Sequence, residues 1–244
     1  MKYIRTMPLL AIAIIASQAF VLFHEKANQV CADKKEWSGS IFEMHFQPVF
    51  QGKKIDLNTA APKGAPSISM LRLYLSNFTF FKNGSIVFEE KNSFHLLDLE
   101  DENTLELKFP GLENLDFDLL QFNLGIDSLT HVSGAMGGDL DPTKAMFWTW
   151  QSGYVNFKLE GTYVKCPTRN HEFQFHLGGY LAPFQSVQSV QLKVPRGEKL
   201  LLQLDVSPFF EQVDWIKKYS IMSPGKEAVA ASRVLANSFS IHAE

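Results

Sequence analysis

Cysteine is almost missing from this chain, with two residues, Cys31 and Cys166, among 244. That excludes a scaffold stapled by disulfides. A Cys-rich metal site is excluded as well, because neither thiol has a second ligand at close spacing. One bridge between Cys31 and Cys166 is the most the sequence allows, and two partly buried unpaired thiols are the alternative. No charge of one sign prevails, since 23 Lys+Arg stand against 26 Asp+Glu for a formal charge of -3. Nucleic acid is therefore not an expected partner, because neutralising phosphates takes a clustered basic excess. The chain also lacks a G-x-S-x-G elbow, an H-E-x-x-H helix, a P-loop and a dinucleotide fingerprint, so nothing reads as a hydrolase or a nucleotide enzyme. Internal repeats and low-complexity tracts are absent too.

What is plentiful is apolar surface. Hydrophobic residues make up 45% and aromatic residues 13%, with 21 Phe, enough for one sizeable core. The long apolar run stands at the start. Residues 7–23 are apolar apart from Ser17 and Gln18, with Lys2 and Arg5 before them and His24, Glu25 and Lys26 after. A basic end followed by an apolar run reads as a secretory signal, and the small residues Ser17 and Ala19 put cleavage after Ala19. An uncleaved anchor is the competing reading, because the run approaches the length of a spanning helix. Residues 1–19 are thus read as a signal, 20–35 as a linker and 36–244 as one exported, periplasmic or extracellular domain. Its contact with the membrane is through that signal or anchor alone.

Between about Glu36 and Val206 the pattern has period two. Leu105, Leu107 and Phe109 alternate with Glu106 and Lys108; Leu115, Phe117 and Leu119 with Asp116 and Asp118; Val155, Phe157 and Leu159 with Asn156, Lys158 and Glu160. Such strands have one buried and one wet face. Turn signals such as Asn83-Gly84, Pro110-Gly111 and Arg196-Gly197 separate them. The expected class is all-β, an antiparallel β-sandwich, with short C-terminal helices over residues 209–219 and 225–237, where the period changes to that of a helix.

Three polar groups fall on faces that invite explanation. In residues 41–49 His45 points away from Phe42, Met44 and Phe46, and in residues 172–177 His176 points away from Phe173, Phe175 and Leu177. If the pleat runs unbroken from Phe147 to Glu160, Trp148 and Trp150 share a side with Asn156 and Lys158, which stands two indoles on the polar face; a bulge at Gly153 would reverse this. Ahead of them, residues 125–142 form a long Gly/Asp loop of a kind more often functional than filler. Its Asp127, Asp139 and Asp141 suit either a hard cation such as calcium or plain turn chemistry, in which each carboxylate bonds its own backbone.

The run of residues 122–129, then 133–142 (Ser-Gly-Ala-Met-Gly-Gly-Asp-Leu-Asp-Pro), then Met146-Phe147-Trp148-Thr149-Trp150-Gln151-Ser152-Gly153-Tyr154 resembles the signature of the MbnP-like family. His45-Phe46, residues 71–77 and residues 175–179 support the resemblance, which departs at Ala145, where Gly is expected. The resemblance implies an exported copper-binding protein of methanobactin operons, paired with a dihaem oxidase of the MauG and cytochrome c peroxidase kind. It implies that the first Trp of the W-x-W motif, here Trp148, is oxidised to kynurenine, which then helps to bind copper(I). His45 and His176 are taken as the accompanying ligands, Trp150 as a stacking neighbour or electron relay, and His95, His131 and His171 as reserves. On this reading the chain is a substrate of its partner and not an enzyme. The alternative, from the residues alone, is a non-metal or glycan-binding sandwich that stacks a ligand on a Trp148/Trp150 platform.

Overall fold

The computed structural model describes residues 41–59, 64–151, 153–197 and 199–243. Residues 1–35, read above as signal and linker and including Cys31, lie outside the described residues. Fourteen strands among them form two sheets: β1 (Phe42–Phe50), β2 (Lys53–Lys54), β3 (Ser67–Lys82), β4 (Ser85–Glu89), β5 (Phe94–Asp98), β6 (Glu106–Phe109), β7 (Leu119–Leu124), β8 (Phe147–Trp148), β9 (Gly153–Thr162), β10 (Glu172–Gly178), β11 (Gln188–Lys193), β12 (Leu200–Asp205), β13 (Ser220–Ile221) and β14 (Phe239–Ala243). Short helices α1 (Ser128–Val132), α2 (Ser207–Gln212) and α3 (Lys226–Ala236) complete the elements used below.

The smaller sheet runs β14-β12-β1-β2, with β6 also on β1; the larger runs β11-β7-β3-β9-β10-β13, with β4 and β5 on β3. Their facing sides bury Met44 and Phe46 from β1 against Leu71, Leu73, Phe157 and Phe175, all 1% exposed or less. The alternation read from the sequence is thus the alternation between this core and the outer faces. Most pairings are antiparallel as expected, but β1 with β12 and β10 with β13 are parallel, because no hairpin turn ties those partners together.

Strand β3 sets the position of the site. One edge pairs with β9 along Ser67–Leu73 and then with β7 along Leu75–Phe81, while the other edge pairs with β5 and β4. The first hand-over falls at Tyr74, and the change from β5 to β4 on the other edge coincides with Asn77 at φ 54 and a register shift between Ser76 and Thr79, a left-handed step that Asn tolerates. β7 therefore ends, and β9 begins, head to head beside the middle of β3.

Two local expectations change. Residues 115–118 are not strand, because Lys82 pairs with Asp116 at 2.7 Å and Asp118 accepts the Asn83 N–H, so that side-chain turn chemistry holds the segment. Residues 209–219 do not form one helix: α2 stops at Gln212 and the chain runs on to β13, while β14 follows α3 and completes the smaller sheet on β12. No helix among the described residues is long and apolar enough to cross a membrane.

Candidate functional site

A second apolar cluster lies outside the sandwich core, made by Tyr74, Leu96, Ile126, Leu140, Met146, Trp148, Tyr154 and Val155. It sits on the outer face of the larger sheet, under the chain that leaves β7 and returns to β9. Asn156 fastens the two ends of this excursion: its Oδ1 accepts the Ile126 N–H at 3.1 Å and its Nδ2 donates to Ser186 Oγ at 2.9 Å. Gly125 has φ 103, and a β-carbon there would lie 2.6 Å from Asn156 Cγ, so no larger residue fits.

The excursion is held down from below. The Tyr74 hydroxyl donates to the Asp139 carbonyl at 2.9 Å, and burial, with Tyr154 and the two nearby aspartates, raises its pKa well above the usual phenol range. The Tyr154 hydroxyl accepts the Met136 N–H and stands 3.1 Å from both the Gly134 and Leu140 carbonyls. Asp139 accepts the Leu96 N–H and pairs with Lys144 at 2.7 Å. Asp127 caps α1 through Thr130, and Asp141 caps the following turn through Thr143. These bonds lower the Thr130-bound Asp127 pKa despite burial, and the Thr143 contacts lower that of Asp141. Asp127 and Asp141 thus show the turn chemistry given as the alternative to calcium, and Asp139 clamps the loop to Leu96 and Lys144. Each is spent on its own turn or clamp, and among the described residues no three His, Cys, Asp or Glu converge to hold a metal ion.

α1 inverts the usual amphipathic order. Leu129 and Val132 are 75% and 62% exposed, while His131 is 1% exposed. His131 Nδ1 accepts the Tyr154 N–H at 3.0 Å, its ring stacks on Tyr180 at 4.8 Å, and its buried Nε2 forms no hydrogen bond among the described residues. Through Nδ1 this residue, held in reserve as a ligand, pins the start of β9. Hydropathy could not have found it, because the apolar residues of this turn face outward.

Residues 147–160 are not one pleated strand. Phe147 pairs with Tyr154 and Trp148 with Gly153, so the chain folds back on itself and places Trp148 in the strand and Trp150 in the turn. Trp148 is 7% exposed and packs over β10, where a β-carbon on Gly178 would lie 2.7 Å from its Cζ3. Trp150 stands in the turn at 64% exposure, 5.5 Å from Trp148 with the rings tilted by 41°. The platform expected for sugar stacking is therefore not formed, since only one of the two indoles faces solvent.

Ala145, just before this hairpin, adopts φ 57 and ψ 27. This is the left-handed conformation that the expected Gly would adopt freely, held here by Arg72 and Lys158, which donate to the Lys144 and Ala145 carbonyls at 3.3 and 3.4 Å. Left-handed backbone costs a residue with a β-carbon roughly 1–2 kcal/mol, partly offset by the greater freedom of Gly in the unfolded chain. Ala145→Gly should thus stabilise the protein by about 1 kcal/mol. Urea midpoints at constant m check this, and a lower midpoint would refute it.

His176 stands on the same outer face as Gly178, two residues before it on β10. It is 8% exposed, and its Nε2 lies 2.6 Å from Glu160 Oε1. A carboxylate only accepts, so Nε2 carries the proton and Nδ1 the lone pair, and among the described residues Nδ1 has no hydrogen-bond partner. Burial pushes the His176 pKa down against the pull of Glu160, and Lys158 pushes it the same way, which favours the neutral ring.

His45 cannot join it. With Met44 and Phe46 in the core, His45 lies on the outer face of the smaller sheet, bonded to Glu106 at 2.7 Å, and the whole core separates it from Trp148 and His176. The assumed trio of His45, Trp148 and His176 therefore reduces to Trp148 and His176. Of the other reserves, His95 bonds Glu90 at 2.8 Å, and His171 bonds the Cys166 carbonyl at 2.8 Å. Cys166 is buried, with its thiol against the Glu172 carbonyl at 2.8 Å.

A two-sheet sandwich whose outer face carries a buried W-x-W hairpin under a Gly/Asp loop defines the class. The profile of the MbnP family matches residues 39–223, and the chain belongs to that family. Among solved structures, MbnP from Methylosinus trichosporium is similar, with 15% identity and a TM-score of 0.53 over 76% of this chain and 81% of that one. This likeness shows a shared fold. No curated protein matches the chain.

Proposed function

We propose that the protein is an exported copper-binding protein in which Trp148, opened to kynurenine by a dihaem oxidase of the MauG and cytochrome c peroxidase kind, binds copper(I) together with His176. What supports the reading most is the pairing of a buried indole with an exposed one: Trp148 packs against Gly178, two residues from a neutral His176, and touches Trp150 at the surface. An intact indole offers a metal no lone pair. Oxidative opening of its five-membered ring, in which the C2 carbon leaves as formate, water supplies the oxygen and the oxidase takes the electrons, yields an aniline nitrogen and a ketone; copper(I) accepts imidazole and low coordination numbers, so an aniline and Nδ1 of His176 suit it. His45 takes no part.

Trp148 is too buried for a bulky oxidant to touch, whereas Trp150 is open, so the electrons leave Trp148 by way of Trp150. Trp150→Phe made beside the oxidase should slow the modification by an order of magnitude or more while leaving the copper affinity of modified protein unchanged; unaltered modification would remove Trp150 from the route. The chain is the substrate in this reaction and not its catalyst. The direct test is peptide mapping of native protein for the loss of one carbon and gain of one oxygen at Trp148, a shift of about 4 Da. An intact Trp148 in copper-loaded native protein would overturn the reading.

A further inference from the structure

The outer face of the larger sheet carries a chain of charged contacts that the copper reading does not itself require. Lys158 lies directly across from His176 and also across from Arg72, and Glu160 follows on the same face of β9. Lys158 Nζ stands 3.8 Å from Glu160 Oε1, the same oxygen that meets His176 Nε2 at 2.6 Å. Its other contact is the Ala145 carbonyl at 3.4 Å, two residues before Phe147. One network thus runs from the segment that delivers Trp148, through Lys158 and Glu160, to the imidazole of His176. All three side chains are well covered, at 12%, 23% and 11% exposure, so the contacts are only weakly screened.

Resting on the copper reading above, the geometry points to Glu160 as the positioning residue of the site: it fixes His176 as the Nε2–H tautomer, turns Nδ1 into the ligating atom, and through Lys158 ties that ring to the loop that carries Trp148. A neutral imidazole has two tautomers, and the hydrogen bond made by one nitrogen decides which lone pair the other presents. Carboxylates in this role hold the ring's direction and raise its basicity, and their loss typically weakens metal binding about 10–100-fold. Lys158 supplies the counter-charge that keeps Glu160 in place, and its bond to the Ala145 carbonyl makes the arrangement sensitive to the left-handed turn there.

The experiment compares wild type, Glu160→Ala and Glu160→Gln in two states. In copper-free, unmodified protein, long-range nitrogen–proton NMR of the His176 ring should show the Nε2–H tautomer in wild type and in Glu160→Gln, whose amide oxygen still accepts, and a mixture in Glu160→Ala. In protein processed beside the oxidase, competition with a copper(I) chelator should show Glu160→Ala weakened about 10–100-fold and Glu160→Gln weakened by less. An Nδ1–H tautomer in wild type, or a Glu160→Ala protein with wild-type tautomer and affinity, overturns the assignment. Processed wild-type protein that binds no copper(I) overturns the copper reading instead; the tautomer result, obtained without copper, still decides the role of Glu160.

Discussion

Trp148→Phe, produced beside a dihaem oxidase, is expected to lose tight copper(I) binding by about 100-fold or more, the affinity equivalent of roughly 3 kcal/mol. The substitution is chosen so that packing changes little. Phe keeps an apolar ring in the space over Gly178, next to Tyr154 and Met146, and the partial void should cost the fold only about 1–2 kcal/mol. What it removes is the pyrrole ring that oxidation opens, and with it the aniline nitrogen. His176 remains, so residual weak binding through the imidazole is expected, and a chelator competition measures the difference. Full affinity in Trp148→Phe would show that the histidine, and not the modified indole, carries the site.

Acid should destabilise the protein through His131 on a comparable scale. Burial pushes its pKa from an ordinary 6.5 down to about 4, against the opposing pull of the Asn156 side chain, Asp127 and the Ile126 backbone. Above pH 6.5 the ring is neutral in both folded and unfolded chains, and its contribution is fully present. Between about pH 6.5 and 4 the unfolded chain takes up a proton that the folded one refuses, so stability falls as the pH falls through that window. The total is on the order of 3 kcal/mol. His176, with its pKa lowered mainly by burial, adds to the same slope. Urea midpoints across this range should decline in wild type and decline less steeply in His131→Gln, and parallel curves would assign the acid sensitivity elsewhere. Because Nδ1 of His131 holds the Tyr154 N–H, protonation also loosens the hairpin of Trp148 before the sandwich itself gives way.

The sandwich was legible because its strands obey one rule, with every second residue facing a common core; Met44 and Phe46 in β1 and Phe173, Phe175 and Leu177 in β10 follow it without exception. The excursion was less legible, since its order comes from caps and clamps between distant residues. In the run of residues 147–160 only Gly153, read as a possible bulge, hints at the reversal between Trp148 and Gly153, and the period-two pattern argues against it. His45 and His176 carry the same local signature, an imidazole opposite a row of Phe. Which sheet each strand joins is decided by pairing across the whole chain, and only that separates the histidine on the face that carries Trp148 from the one on the far sheet. Ala145 was the opposite case, because a lone departure from an expected Gly pointed directly at a left-handed turn.

The meeting of β7 and β9 beside one long strand has a consequence for the segment between them. Gly125 and Asn156 touch, so everything between them is a detour that begins and ends at nearly the same point in space. Lengthening such a detour costs only the slow logarithmic entropy of loop closure. Strand pairing around β3 does not depend on what the detour contains. The sandwich can therefore close whatever the detour contains, which leaves the stretch that carries the family signature free to be shaped by the needs of the outer face instead of by strand pairing.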